Sequence, residues 1–242
     1  MSAENHHRII PEALSTSLSE ALGSVQRDGA SAPSRISPVE VLFEAPEQTT
    51  MDHVVLVRMG RGQALEDTLV EMLHAHVSDC AHRVAITSCA ERFNSPQQHS
   101  FSALLQRVSH RLGCQFVNDQ FREIRERPSM TTFPTAEGRR EALQGVMEFS
   151  GRLDDMVVLL IDDVTTTGSS LITASEVLVE SGAHQVIPIA LLRAPINEPD
   201  WERNQTKRVI KAYFEDANDV LKWAGATRAL KEIATEVIHE QE

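Results

Sequence analysis

The sequence predicts an α/β protein: a mostly parallel sheet flanked by helices, with an N-terminal arm and a C-terminal helical segment. Three observations predict it. Residues 51–194 alternate short apolar runs with segments of helical periodicity, the pattern of parallel strands joined by crossover helices. Val157 to Ile161 are five uninterrupted aliphatics, as suits a strand buried on both faces. That run ends in Asp162 and Asp163 and then in Thr165-Thr166-Thr167-Gly168-Ser169-Ser170, small residues that turn a strand into a helix.

Three zones follow along the chain. Residues 1–50 read as an arm or linker: Leu14, Leu18 and Leu22 keep helical spacing, and the Ser/Pro-rich GASAPSRISP follows. Residues 51–194 form the main domain, and residues 195–242 are a more polar extension packing on it, with a helix near 225–239. Within the domain, HVVLVRM (53–59) reads as a strand. QALEDTLVEMLHAHV reads as a helix with Leu65, Leu69, Met72 and Leu73 on one face. RVAITSC (83–89) is a short buried strand. FSALLQRVSHRL (101–112) is a helix closed by Gly113, and CQFV is a further strand. FREIRERPSMTTFPTAEG has two prolines and little periodicity, so it reads as a long loop. RREALQGVMEF is a helix, and after the aliphatic run come a helix over 169–181, Gly182 and the strand QVIPIALLR. Pro188 is awkward there, because it removes a ladder donor.

Composition narrows the function classes. Hydrophobic residues make up 41% of the 242, enough for a core. A net charge of -12 argues against coating nucleic acid, which needs a clustered positive surface. Cys80, Cys89 and Cys114 form no CxxC pair, so a zinc ribbon is not expected and reduced intracellular thiols are. The histidines form no HExxH; His74 and His76 lie two apart, on different faces of a helix. The N-terminus has no signal-peptide pattern, and no window approaches the ~20 apolar residues of a membrane span. The expectation is a soluble cytoplasmic protein, with no membrane partner and no direct nucleic acid partner.

The chemistry concentrates on VVLLIDDVTTTGSSL (157–171). Ligands of parallel sheets bind at the carboxyl ends of the strands, where Asp162 and Asp163 stand. Side chains alternate along a strand, so both acids reach one ligand only if the strand ends at them. The hydroxyl-rich loop and the helix N-terminus behind it supply amides, hydroxyls and a positive dipole end for a phosphate. Carboxylates accept hydrogen bonds from vicinal sugar hydroxyls and hold Mg²⁺ directly or through water. The stretch suits a phosphorylated sugar with free hydroxyls and a metal.

The same residues closely resemble the PRPP-binding motif of type I phosphoribosyltransferases, whose fold is Rossmann-like. The resemblance implies that Asp162 and Asp163 hold the ribose and a metal, Mg²⁺. It implies that Thr165, Thr166, Thr167, Gly168, Ser169 and Ser170 surround the 5′-phosphate. The order of segments is similar to the ComF-like branch: LVRMGRGQALEDTLVEML precedes the strand of VAITSCAERFN, and Arg92-Phe93-Asn94 stands where that branch has RGFN. The glycine before Phe93 is missing, Ala142 replaces an expected asparagine, and the N-terminal zinc ribbon of many members is absent. By the resemblance the pyrophosphate loop is Ser88, Cys89, Ala90, Glu91 and Arg92, with Glu91 an uncomfortable neighbour for an anion. The implied activity is pentosyl transfer within nucleotide metabolism, from PRPP to a nucleophile with release of pyrophosphate. The alternative is a non-catalytic PRPP or nucleotide sensor, or an accessory protein.

Arg122, Arg125 and Arg127 flank the long loop and are candidates to close over the pyrophosphate. The interleaved Glu123 and Glu126 equally fit a solvated, ion-paired face. Arg139 and Arg140 read more as helix-surface residues than as ligand contacts. The family's 6-oxopurine enzymes carry an aspartate where Thr166 stands, so hypoxanthine and guanine are disfavoured as acceptors. Trp201, Tyr213, Phe214 and Trp223 could stack on a base, though ordinary core or interface packing suits each better. The oligomer stays open, a homodimer included, and residues 1–50 could be a dimer arm, a lid or a leader.

Overall fold

The computed structural model describes residues 35–44, 52, 55, 63–90, 100–128, 133, 135–195, 200–213, 217–222 and 228–240. The chain divides into two units, Met1–Pro33 and Ser34–Glu242, and all the described residues belong to the second. The helical pattern at Leu14–Leu22 lies outside them.

The strands are β1 (Glu40–Glu44), β2 (Arg83–Ser88), β3 (Gln115–Phe116), β4 (Phe121–Glu123), β5 (Met147–Phe149), β6 (Met156–Thr165) and β7 (Gln185–Arg193). The helices are α1 (Gln63–Ser78), α2 (Ser100–Leu112), α3 (Ala136–Leu143), α4 (Ser169–Glu180), α5 (Trp201–Tyr213), α6 (Ala217–Lys222) and α7 (Arg228–His239). Five strands form one sheet in the order β1-β7-β6-β2-β3, and every pairing in it is parallel. The expected class is therefore the observed one. β4 and β5 make a separate antiparallel pair.

Alternation along the central strands divides the core. Val84, Ile86, Leu159, Ile161, Ile189 and Leu191 pack with α1 and α2 through Leu65, Leu69, Leu73, Leu104, Leu105 and Val108. On the other face Val158, Leu160, Val186 and Ala190 pack with Leu171, Ala174 and Leu178 of α4, joined by Phe121 and Phe149 of the small hairpin. A third cluster gathers α5 and α7 around Val209, Ile210, Ile233 and Val237, with Val55, Leu192 and Trp201. Trp201 is thus a core aromatic, 8% exposed. Phe214 and Trp223 lie outside the described residues, as does the Tyr213 side chain.

Several elements depart from expectation. Glu40–Glu44, assigned by sequence to the arm, is an edge strand of the main sheet, in register with β7 from Ile189 to Arg193. Val55, expected in a strand, is helical and buried, since a short apolar run fits either state. The helix expected over 139–149 ends at Leu143, and after Gly145 (φ 62) Met147–Phe149 turns into β5. It pairs with Phe121–Glu123, expected as loop.

Pro188 is accommodated by register. Val186 turns its polar backbone toward the N-terminal segment, receiving Ser37 N–H and donating to Arg35 O. Pro188, two residues on, faces the same side, where Ser37–Val39 is not in strand conformation. The missing N–H falls in that gap.

Candidate functional site at the β2–β6 switch point

From β2 the chain runs outward to β3 and later returns to place β6 on the other side of β2. The strand order reverses between β2 and β6, so their carboxyl ends flank the crevice where open α/β sheets bind ligands. β2 ends at Ser88, paired with Ile161, while β6 runs four residues further to Thr165, supported by β7 alone. Asp162 and Asp163 lie on that overhang.

The acid pair is therefore still inside the strand, contrary to the expectation that the strand ends at it. Pairing continues through Thr165 and Arg193, so Asp162 and Asp163 leave the strand in different directions. Their carboxylates instead bind the overhang's own amides: Asp162 Oδ1 accepts from Asp163 N (3.1 Å) and Asp163 Oδ1 from Val164 N (2.6 Å). Both remain partly exposed, and both act on Cys89 just beyond β2. Burial pushes the Cys89 thiol well above its usual 9.0; Asp162, by its charge and a hydrogen bond, adds to this, as does the Asp163 charge, while Arg127 opposes it. Cys89, Asp162, Asp163 and Arg127 thus share one neighbourhood.

The loop after β6 is shaped by its own hydroxyls. Buried Thr165 accepts the Gly168 N–H at 3.0 Å through Oγ1, and the Thr167 and Ser169 hydroxyls pair at 2.9 Å. Gly168 (φ 74, left-handed) caps α4, a conformation costing a residue with a Cβ about 1–2 kcal/mol. The first helical hydrogen bond is Ile172 N to Gly168 O, so the amides of Ser170 and Leu171 have no intrahelical acceptor, while that of Ser169 donates to Thr167 Oγ1 at 3.5 Å. No acidic side chain stands in the first turn to oppose an anion. Thr166 is exposed and Thr167 and Ser170 partly so, whereas Thr165 and Ser169 are buried and serve the loop's shape.

The arginines separate. Arg127 pairs with buried Glu123 at 3.3 Å and reaches the Cys89 neighbourhood. Arg122 lies across the hairpin from Glu148 at 3.8 Å, and Arg125 donates to the Gln144 carbonyl, so both belong to the β4–β5 surface. Arg140 pairs with Glu176 of α4 at 2.7 Å, a surface contact as expected. Arg139, also on the helix surface, donates through Nη1 to Thr166 Oγ1 at 3.1 Å and through Nε to Phe133 O at 2.8 Å. Helical periodicity put it on the surface but could not show that the surface abuts the loop after β6.

At the end of β2, Asn118 makes a knot with no sequence signal beyond a polar residue between strands. Its Oδ1 accepts from Ser88 N (2.9 Å), Ser88 Oγ (2.5 Å) and Thr87 Oγ1 (3.2 Å), and its Nδ2 donates to Ser102 Oγ (3.1 Å). The Ser88 amide, expected to face pyrophosphate, is thereby committed to Asn118. Ala90 is buried at the same strand end, and Glu91, Arg92, Phe93 and Asn94 lie outside the described residues.

No helix among the described residues is long and apolar enough to cross a membrane. No protein-family model matches the chain, and no curated protein matches it. Among solved structures the chain is similar to a purine phosphoribosyltransferase from Pyrococcus horikoshii Ot3, at 16% identity over 64% of this chain and 88% of that one, with a TM-score of 0.32.

Proposed function

We propose that the chain binds PRPP at the β2–β6 switch point and transfers its phosphoribosyl group to a nucleophile other than a 6-oxopurine, releasing pyrophosphate. The observation that carries this is the meeting, at one strand-end crevice, of a carboxylate pair with a hydroxyl-rich helix N-terminus. In the reaction the C1′–O bond to pyrophosphate breaks, a bond from C1′ to the nucleophile forms, and the nucleophile gives up its proton. Positive charge grows on the ribose ring, and fixed negative charge beside it lowers the barrier. Asp162 and Asp163 are the ribose ligands in this reading and supply that charge; they reach the 2′- and 3′-hydroxyls together only when the overhang beyond Ile161, which β7 alone supports, rearranges as PRPP binds. The α4 amides and the hydroxyls of Thr166, Thr167 and Ser170 take the 5′-phosphate. Arg139 occupies a lone pair of the Thr166 hydroxyl, which turns its O–H outward as a donor and adds a positive charge behind it. Thr166 cannot serve as a base at neutral pH, in keeping with an acceptor that needs no carboxylate at this position.

Magnesium fits the donor set, since two partly exposed carboxylates supply hard oxygens of the kind it prefers. Bound through Asp162 and Asp163, it would neutralise charge on the departing pyrophosphate.

A second reading, PRPP binding without turnover as a sensor or accessory protein, is favoured by one observation: Asn118 occupies the Ser88 amide. Calorimetry with PRPP and Mg²⁺, paired with pyrophosphate release against a panel of bases, separates the two. Binding with turnover supports the transferase, and binding without turnover by any base supports the sensor. Unchanged PRPP binding in Asp162→Asn/Asp163→Asn, or no binding by the wild type, rejects both.

A further inference from the structure

At the other end of the sheet, His82, Asp155 and His184 each stand one residue before a central strand: β2, β6 and β7. One ligand atom from each lies within 4.8 Å of the others, and all three residues are exposed. β2 and β7 flank β6, so their backbones are about 9.6 Å apart. The two imidazoles nevertheless reach across the amino end of β6 and stack at 4.0 Å with a 24° interplanar angle. Asp155 turns there with φ 60, and its carboxylate joins the rings.

No hydrogen bond or ion pair among the described residues engages these three side chains, although their surroundings are well paired. The Asp154 carboxylate takes Arg152 at 2.9 Å, and the neighbouring carbonyls of Ala183 and His184 receive Arg35. The backbone beneath is fixed: His184 N donates to Met156 O at 2.8 Å, and Asp154 bridges Ala183. The C-terminal end of α4, its negative pole, falls at Glu180, four residues before His184, with no basic side chain in its last turn.

We infer that His82, Asp155 and His184 form a binding site for a transition-metal dication of the Zn²⁺, Co²⁺ or Ni²⁺ class, clamping the amino ends of β2, β6 and β7. Two imidazole nitrogens and one carboxylate oxygen are the donors these borderline cations take, with solvent completing the shell. A tetrahedral site with bonds of about 2.1 Å sets its ligand atoms about 3.4 Å apart. From within 4.8 Å, side-chain movements of about 1 Å close the set while the strands stay in place. The site is independent of the PRPP reading, since it lies at the opposite ends of the same strands.

The test is titration of the full chain with Co²⁺, followed by its visible absorption and by calorimetry. The other histidines provide a background, so the wild type is compared with His82→Ala, His184→Ala and Asp155→Asn, the last keeping a residue that tolerates positive φ. Expected are one cobalt equivalent with a tetrahedral or five-coordinate spectrum and about tenfold or greater weakening in each variant. Far-ultraviolet circular dichroism and the thermal midpoint without metal should be unchanged in the variants, which shows that they are folded. No bound equivalent in the wild type, or the same equivalent and spectrum in the triple variant, overturns the site.

Discussion

Replacing Asn118 by alanine tests what holds the end of β2 in place. Four hydrogen bonds are lost, but they are not equivalent. The Thr87 and Ser88 hydroxyls keep carbonyl acceptors, Ser88 O and Cys89 O, each at 3.1 Å, so their loss is small. The Ser88 amide, in a residue 9% exposed, loses its side-chain acceptor, and a buried orphan donor costs about 1–3 kcal/mol. The bond to buried Ser102 adds about 1 kcal/mol. Asn118→Ala should therefore destabilise the protein by about 2–4 kcal/mol in urea denaturation, with little change in m. Ser102→Ala, which removes only the last bond, should cost about 1 kcal/mol, and the double variant no more than Asn118→Ala alone. An Asn118→Ala cost equal to that of Ser102→Ala would mean that the Ser88 amide has another acceptor and that the knot does not fix the strand end.

Arg139→Ala breaks no buried pair and should change stability by less than about 0.5 kcal/mol, while weakening PRPP binding about tenfold by calorimetry; equal affinity would return Arg139 to the ordinary helix surface. Gly182→Ala places a Cβ 2.7 Å from Asp154 Oδ1 at φ +102, so a loss of about 1–3 kcal/mol is expected, read as a lower thermal midpoint. His76 joins α1 to β1 through Glu40 at 3.2 Å; the hydrogen bond that it donates to the Glu40 carboxylate raises its pKa, burial works against this, and the Glu40 charge adds to the rise. A raised folded value makes the pair's stabilisation complete below the ordinary 6.5 and lost as pH rises through the folded value. Screening of this half-exposed pair keeps the effect to a few tenths of a kcal/mol. Denaturation curves across that range should show the loss in the wild type and not in Glu40→Gln.

Much of this architecture was legible because it rests on local pattern. The five aliphatics ending in acids fit a strand buried on both faces and form one, and Gly168 after three threonines marks the helix start that is observed. What escaped depends on partners distant in sequence. Asp162 and Asp163 have weak strand propensity and stay extended because β7 pairs with this segment through Arg193. Glu40–Glu44 follows a linker-like stretch and becomes a strand only where β7 offers an edge. β4 and β5 have three residues each, too few to show a period of two beside a helix that ends at Leu143. The site divides in the same way. The acids and the candidate phosphate loop are contiguous in sequence and visible there, whereas Asn118 and Arg139 reach the candidate site from other elements.

The two proposed sites lie at opposite ends of one element, and that element gives a reason for their placement. α4 begins at the loop after β6 and ends beside the start of β7, so its positive pole faces the candidate phosphate loop and its negative pole the His–Asp–His cluster. Neither terminal turn is compensated by its own side chains: the first has no acid and the last has no base. Each pole is left to a ligand of the opposite sign, worth about 0.3–1 kcal/mol at an exposed end. A lysine in the last turn, Val179→Lys, should weaken Co²⁺ binding severalfold at low salt and leave PRPP affinity within error. An acid in the first turn, Ser170→Glu, should do the reverse. If both substitutions shift both affinities alike, net charge rather than the helix ends governs them, and the opposed placement of the sites has no electrostatic basis in α4.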